Sequence, residues 1–169
     1  GQPLHAFDKN KLDNLIGREA QPKDFGVRKA YEGEKLLALD GNNYNLNKGI
    51  TVVTCADKPI AIAGVIGGEE TSVCNSTKSI WLEAAVFTPT VIRQSSKQIG
   101  LRTESSSRYE KGISSRNTIN SLNRALTLFQ KFYKDIQYDV YSSKIIEEDN
   151  KYIKLRRERI NKILGPIIS

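Results

Sequence analysis

Thr51-Val52-Val53-Thr54-Cys55-Ala56-Asp57-Lys58-Pro59-Ile60-Ala61-Ile62-Ala63-Gly64-Val65-Ile66-Gly67-Gly68 is the stretch that decides the fold class. Two apolar, β-branched runs, Thr51 to Ala56 and Ile60 to Val65, flank a short polar turn at Asp57-Lys58-Pro59 and read as strands. Gly64, Gly67 and Gly68 then interrupt the pattern. Such a cluster is either a tight turn or bulge between strands, or a place where a ligand comes close to the backbone. It is not a dinucleotide fingerprint, because the glycine order differs and no helix follows. It is not a phosphate-binding P-loop, because no Gly-Lys-Ser/Thr follows.

Upstream, Lys9 to Leu15 suits a short helix ending near Gly17. Val27 to Ala30 and Glu34 to Leu39 read as strands, and Asp40-Gly41-Asn42-Asn43 signals a hairpin turn with Tyr44 to Leu46 returning. Downstream, Ser79 to Phe87 is a further strand. Then the period changes. Thr88-Pro89-Thr90 opens a helix over Thr90 to Ile99, with Gly100 as its cap. Ser115 to Phe132 predicts a longer helix whose Ile119, Leu122, Leu126, Phe129 and Tyr133 form one buried stripe. Ile136 to Ile146 is mixed and strand-like, Glu147 to Lys151 is a charged linker, and Tyr152 to Leu155 leads into a helix at Arg156 to Leu164. Strands first and helices later predict an α+β fold: layered mixed or antiparallel sheets, sandwich-like, with helices packed from the C-terminal half. Residues 1–150 form the main domain, and 151–169 the start of a following small one.

At 169 residues, with 38% apolar and 27% charged side chains, the chain can bury a core without disulfides or metals. No apolar run is long enough to span a bilayer, so no membrane partner is expected. The chain has no methionine and opens at Gly1, which reads as a piece of a longer protein. Cys55 and Cys74 have neither CxxC spacing nor a histidine cluster, so two reduced thiols and no metal site are expected. Net charge is +7, with +8 falling in residues 91–169 (16 basic, 8 acidic). That half suits a polyanion such as RNA, or is simply a solvated helix surface.

Glu83 sits in Ile80-Trp81-Leu82-Glu83-Ala84-Ala85-Val86-Phe87. By alternation it shares a face with Trp81 and Ala85, which places its carboxylate either at an exposed edge or in a pocket that must supply a donor. His5 is the single histidine, a packing or hydrogen-bonding residue unless a site recruits it; no nucleophile elbow does so. Arg102 to Gly112, dense in hydroxyls and charges, is a polar loop with Arg108 and Glu110 in ion pairs, or the lining of a site for a polar ligand.

Five ordered motifs carry a resemblance: Gly1 to Asp8, Leu39-Asp40-Gly41, Pro59 to Gly68, Leu82 to Phe87, and Gly100 to Gly112. Together they resemble the beta subunits of bacterial-type phenylalanyl-tRNA synthetases, in the central editing domain. Arg159 to Gly165 looks like the start of that subunit's next small domain. The resemblance implies an α2β2 ligase that attaches phenylalanine to tRNA(Phe), with ATP and magnesium used in the alpha subunit and no cofactor in this chain. It implies that residues 1–150 hydrolyse mischarged Tyr-tRNA(Phe), in a cytoplasmic or organelle-stroma setting. By motif match, Glu83 reads the tyrosine hydroxyl, and Gly67, with Gly68 beside it, forms the pocket floor. His5 and Thr103 hold the ester end and a water. Ser105 stands at the pocket wall, where many relatives carry alanine. The family has a further segment, with a strand and polar site residues, ahead of Gly1. The competing reading is a non-catalytic RNA-docking or structural domain that keeps the fold without the pocket.

Overall fold

The computed structural model describes residues 3–143 and 154–165. In chain order they form β1 (Leu4–Asp8), α1 (Lys9–Ile16), β2 (Phe25–Lys29), β3 (Lys35–Leu37), β4 (Asn43–Asn45), β5 (Thr51–Cys55), β6 (Lys58–Ile62), β7 (Ile66–Gly67) and β8 (Ile80–Ala84). The helices α2 (Pro89–Ile99), α3 (Glu104–Tyr109), α4 (Ser115–Phe132) and α5 (Arg157–Leu164) follow. This is the α+β order of the sequence reading. Every strand pairing among the described residues is antiparallel, in a four-stranded sheet ordered β2-β5-β6-β7 and two ribbons, β1-β8 and β3-β4.

The quoted stretch builds the centre. All five residues of β5 are buried, as expected of a near-continuous apolar run with neighbours on both sides. The β5–β6 turn is not at 57–59 but at Ala56 and Asp57, both left-handed (φ 46° and 64°). Two such residues make the tight hairpin turn whose twist matches the strands it joins. Pro59 lies inside β6 opposite Thr54, next to a register shift between Val53 and Thr54. A bulge is where a strand tolerates a residue without an N–H. Val52, Ile60 and Ile62 then meet Leu36 from β3, Leu46 and Ile50 from the loops, Phe7 from β1, Leu12 from α1 and Ile92 from α2 in one core.

Residues 4–8, to which the sequence pattern assigns no element, are a strand; β1 is short and runs straight into α1, whose cap is Asp8. Three further sequence expectations need correction. Residues 104–109 are helical, not a loop. The α4 stripe is not uniformly buried: Ile119 and Tyr133 are exposed, Leu122, Leu126 and Phe129 are half-buried, and Thr118 is the residue of α4 that is fully covered. Residues 136–143 form no strand; 144–146, the expected linker at 147–151 and the first half of the expected strand at 152–155 lie outside the described residues. Both thiols are free, Cys55 buried and Cys74 exposed.

Candidate active site

Pairing of β1 with β8 sets His5 directly opposite Glu83. Residues facing each other across an antiparallel pair share a face and lie within side-chain reach. Both line a cavity of about 610 Å³. Its other walls are the glycine-containing turn (Gly64 to Gly67), α3 (Thr103, Ser105, Arg108, Tyr109), and apolar side chains including Leu4, Leu39, Phe87 and Ile113.

The turn is shaped by what it must avoid. Gly64 takes a left-handed φ of 64°, and a β-carbon there would sit 2.9 Å from Ile92 Cδ1 and 3.1 Å from Phe87 Cδ2. Gly67 is not left-handed, but a β-carbon would lie 2.6 Å from His5 Cε1 and 2.7 Å from Nε2. Its lack of a side chain is what lets the imidazole come this close to the turn. Gly68 faces elsewhere: its β-carbon would meet the Ile60 carbonyl oxygen at 2.7 Å, and its N–H bonds that same oxygen at 2.8 Å. Gly68 is therefore fitted into the sheet and does not line the cavity.

α3 is held against the turn by two hydroxyls. Thr103 caps the helix, accepting from Ser106 N at 3.0 Å, and its Oγ1 donates to the Val65 carbonyl at 2.8 Å. Ser106 returns a bond from Thr103 N at 2.9 Å, completing a capping box. Ser105 Oγ donates to the Gly64 carbonyl at 2.9 Å. Upstream, α2 ends at left-handed Gly100, and the Ser96 hydroxyl holds the Leu101 carbonyl, so the chain enters α3 in a fixed direction. A threonine hydroxyl has one proton and two lone pairs. Thr103 has given its proton to Val65 and one lone pair to Ser106, which leaves one acceptor site for a ligand or water.

Electrostatically, Glu83 is the outlier. Its carboxyl has no hydrogen-bond donor among the described residues, and burial pushes its pKa up from 4.5 to about 7. Burial lowers that of His5, so its imidazole is neutral at neutral pH; the ring packs edge-on to Phe7 at 4.6 Å. Tyr109 stays protonated, held up by burial and by the field of Glu83. Its hydroxyl donates to the Ala85 carbonyl at 3.3 Å and its ring stacks near Phe87 at 5.1 Å. It therefore walls Glu83 without satisfying it. The expected Arg108–Glu110 network resolves into Arg108–Glu104 (3.1 Å) and Arg102–Glu110 (2.7 Å).

Of the residues the sequence singled out, His5, Gly67, Glu83, Thr103 and Ser105 converge on this cavity and Gly68 supports it from behind. Leu39, Arg108 and Tyr109 line it without having been assigned a role. The missing signal was the helix: Ser105, Arg108 and Tyr109 are spaced i, i+3, i+4 and share a face once 104–109 is helical. No group of three or more potential metal ligands of the His, Cys, Asp and Glu types occurs among the described residues. No helix among them is long and apolar enough to cross a membrane.

Residues 1–134 match the family model of the B3/4 domain, and the chain belongs to that family. More particularly, it is 60% identical over 168 residues to the phenylalanine–tRNA ligase beta subunit of Prochlorococcus marinus strain MIT 9312, covering 99% of this chain and 21% of that one. It is 50% identical to the same subunit from strain NATL2A, over 100% of this chain and 20% of the relative. It is 40% identical to that of Parasynechococcus marenigrum strain WH8102, over 99% and 20%. The chain thus spans about a fifth of the length of the curated relatives it matches.

Proposed function

We propose that this domain hydrolyses tyrosine wrongly esterified to tRNA(Phe), as the proofreading part of a phenylalanine–tRNA ligase beta subunit. The parent enzyme then pairs this subunit with an alpha subunit as α2β2 in the cytoplasm or an organelle stroma. In this reading its synthetic step, with ATP and magnesium, belongs to the alpha subunit.

The observation that carries this reading is the Glu83 carboxyl, recessed in a cavity and without a donor of its own. A half-buried carboxyl with no donor from the described residues is costly to keep ionised, and a ligand hydroxyl relieves that cost. Tyrosine carries that hydroxyl and phenylalanine does not. A site built to bond a hydroxyl rejects the analogue lacking it by about 10⁴–10⁵. A domain that merely docks RNA leaves the carboxyl without a purpose.

With the phenol at Glu83, the side chain fills the space between Gly64 and Tyr109, and the ester end lies toward His5 and Thr103. Hydrolysis of an activated ester depends on a positioned water more than on a strong base. Neutral His5 both donates and accepts, and the free lone pair of Thr103 accepts, so the two orient a water without forming a nucleophile–base pair. Ser105 has committed its proton to Gly64, so it shapes the wall and offers no donor.

The test is deacylation by the full-length α2β2 enzyme. Clearance of tyrosyl-tRNA(Phe) with phenylalanyl-tRNA(Phe) spared supports the proposal. Clearance of neither ester contradicts it and leaves an RNA-docking or structural role.

A further inference from the structure

The cavity is polar at two places of opposite sign. Glu83 stands on the ribbon, near enough to Tyr109 for its charge to act on that hydroxyl, and Arg108, a residue earlier on α3, lines the same cavity with its side chain about half exposed (52%). Among the described lining residues Arg108 is the one permanent cation, because His5 is kept neutral by burial. Its acidic partner among the described residues is Glu104, one turn back on α3, reached by one N–H at 3.1 Å. That carboxylate is 91% exposed, and a solvated i,i+4 pair is too weak to hold a guanidinium against a better anion. Four of its five N–H donors have no partner among the described residues, and the planar fork suits two oxygens of one phosphate.

The lining therefore demands a ligand with a hydrogen-bond donor at the recessed end and an anion at the open end. An aminoacyl ester of an RNA 3′ terminus has that order: phenol, ester, ribose, then the phosphodiester leading to the preceding nucleotide. Resting on the editing reading above, we infer that Arg108 is a substrate-binding residue that grips the phosphodiester next to the esterified nucleotide. The grip fixes how deep the ester sits relative to His5 and Thr103, and makes the site selective for nucleotide-linked esters over free ones. It carries no sequence information, because a phosphate contact positions without reading a base.

The experiment compares two substrates in the full-length α2β2 enzyme: tyrosyl-tRNA(Phe), and 3′-O-tyrosyl-adenosine, which keeps the ester and nucleoside but has no phosphate. Arg108→Gln is expected to raise KM for the tRNA ester about tenfold, the worth of one charge-assisted contact, with kcat within about twofold. The slope of log KM against log salt should fall by about 0.7, one single-strand phosphate. Hydrolysis of tyrosyl-adenosine should equal that of wild type. Arg108→Lys should recover part of the KM, and Glu104→Gln, which unmasks the guanidinium, should lower it. Equal effects of Arg108→Gln on both esters, or no effect on either while wild type cleaves both, overturn the inference and leave the editing reading standing. Wild type cleaving neither overturns both.

Discussion

Gly67 and Gly68 are neighbours that lack side chains for different reasons, and the difference is measurable. A methyl at 67 collides with the His5 ring, the movable end of a side chain, whereas a methyl at 68 collides with the Ile60 carbonyl, which is backbone. Gly67→Ala should therefore keep the unfolding free energy from urea titration within about 1 kcal/mol of wild type but cut tyrosyl-ester hydrolysis about tenfold or more by displacing the imidazole. Gly68→Ala should cost roughly 1–3 kcal/mol in the same titration, the usual price of overpacking. The reverse pattern would mean that the floor of the site is wrongly assigned. Glu83 gives a pH prediction. Its folded pKa is raised from 4.5 to about 7 by burial, so between those values the unfolded chain ionises while the native one keeps its proton. Stability contributed by the neutral form is complete at low pH and is lost as pH rises through that window. Glu83→Gln removes the loss. Its stability relative to wild type should grow between pH 4 and pH 8, by up to about 3 kcal/mol, read from urea titrations at each pH. Parallel curves would show that the carboxyl is well solvated.

At the scale of elements, α3 is six residues, half of them serine, with poor helix propensity. It exists because Thr103 and Ser106 cap it and because the Thr103 and Ser105 hydroxyls bond the turn at Val65 and Gly64. Thr103→Ala should cost about 1–2 kcal/mol in urea unfolding, while Thr103→Ser, which keeps the hydroxyl, should stay close to wild type. Equal stability of all three would contradict the capping account. The same facts explain why α3 was illegible. Its capping box ends in serine where the usual pattern has Glu or Gln, and hydroxyl-rich stretches favour turns over helices when no tertiary partner is visible. By contrast α2 was legible almost to the residue, because Pro89 near its start and Gly100 at its end are local signals that depend on no partner. The length of α4 was legible from its period, but the burial of its stripe was not: period tells which residues share a face, not what covers it.

Across the whole molecule, the central hairpin was readable because β5 is buried on both faces and is built of β-branched residues and a cysteine. The site was readable only as separate residues. What joins them is register: β1 and β8 lie far apart in sequence, and one residue of slip would turn Glu83 away from His5. Nothing local fixes that pairing, so the carboxylate stayed undecided between edge and pocket until the ribbon was seen. The resemblance of the motifs supplied roles, and the ribbon, the turn and α3 supply the physical reason those roles can coexist in one cavity. Whether Glu83 reads the tyrosine hydroxyl, as proposed, is decided by deacylation of tyrosyl- and phenylalanyl-tRNA(Phe) with the full-length α2β2 enzyme, wild type against Glu83→Ala. Wild type is expected to prefer the tyrosyl ester by orders of magnitude, and Glu83→Ala to lose most of this preference. A variant that still clears the tyrosyl ester and still spares the phenylalanyl one would contradict the proposal.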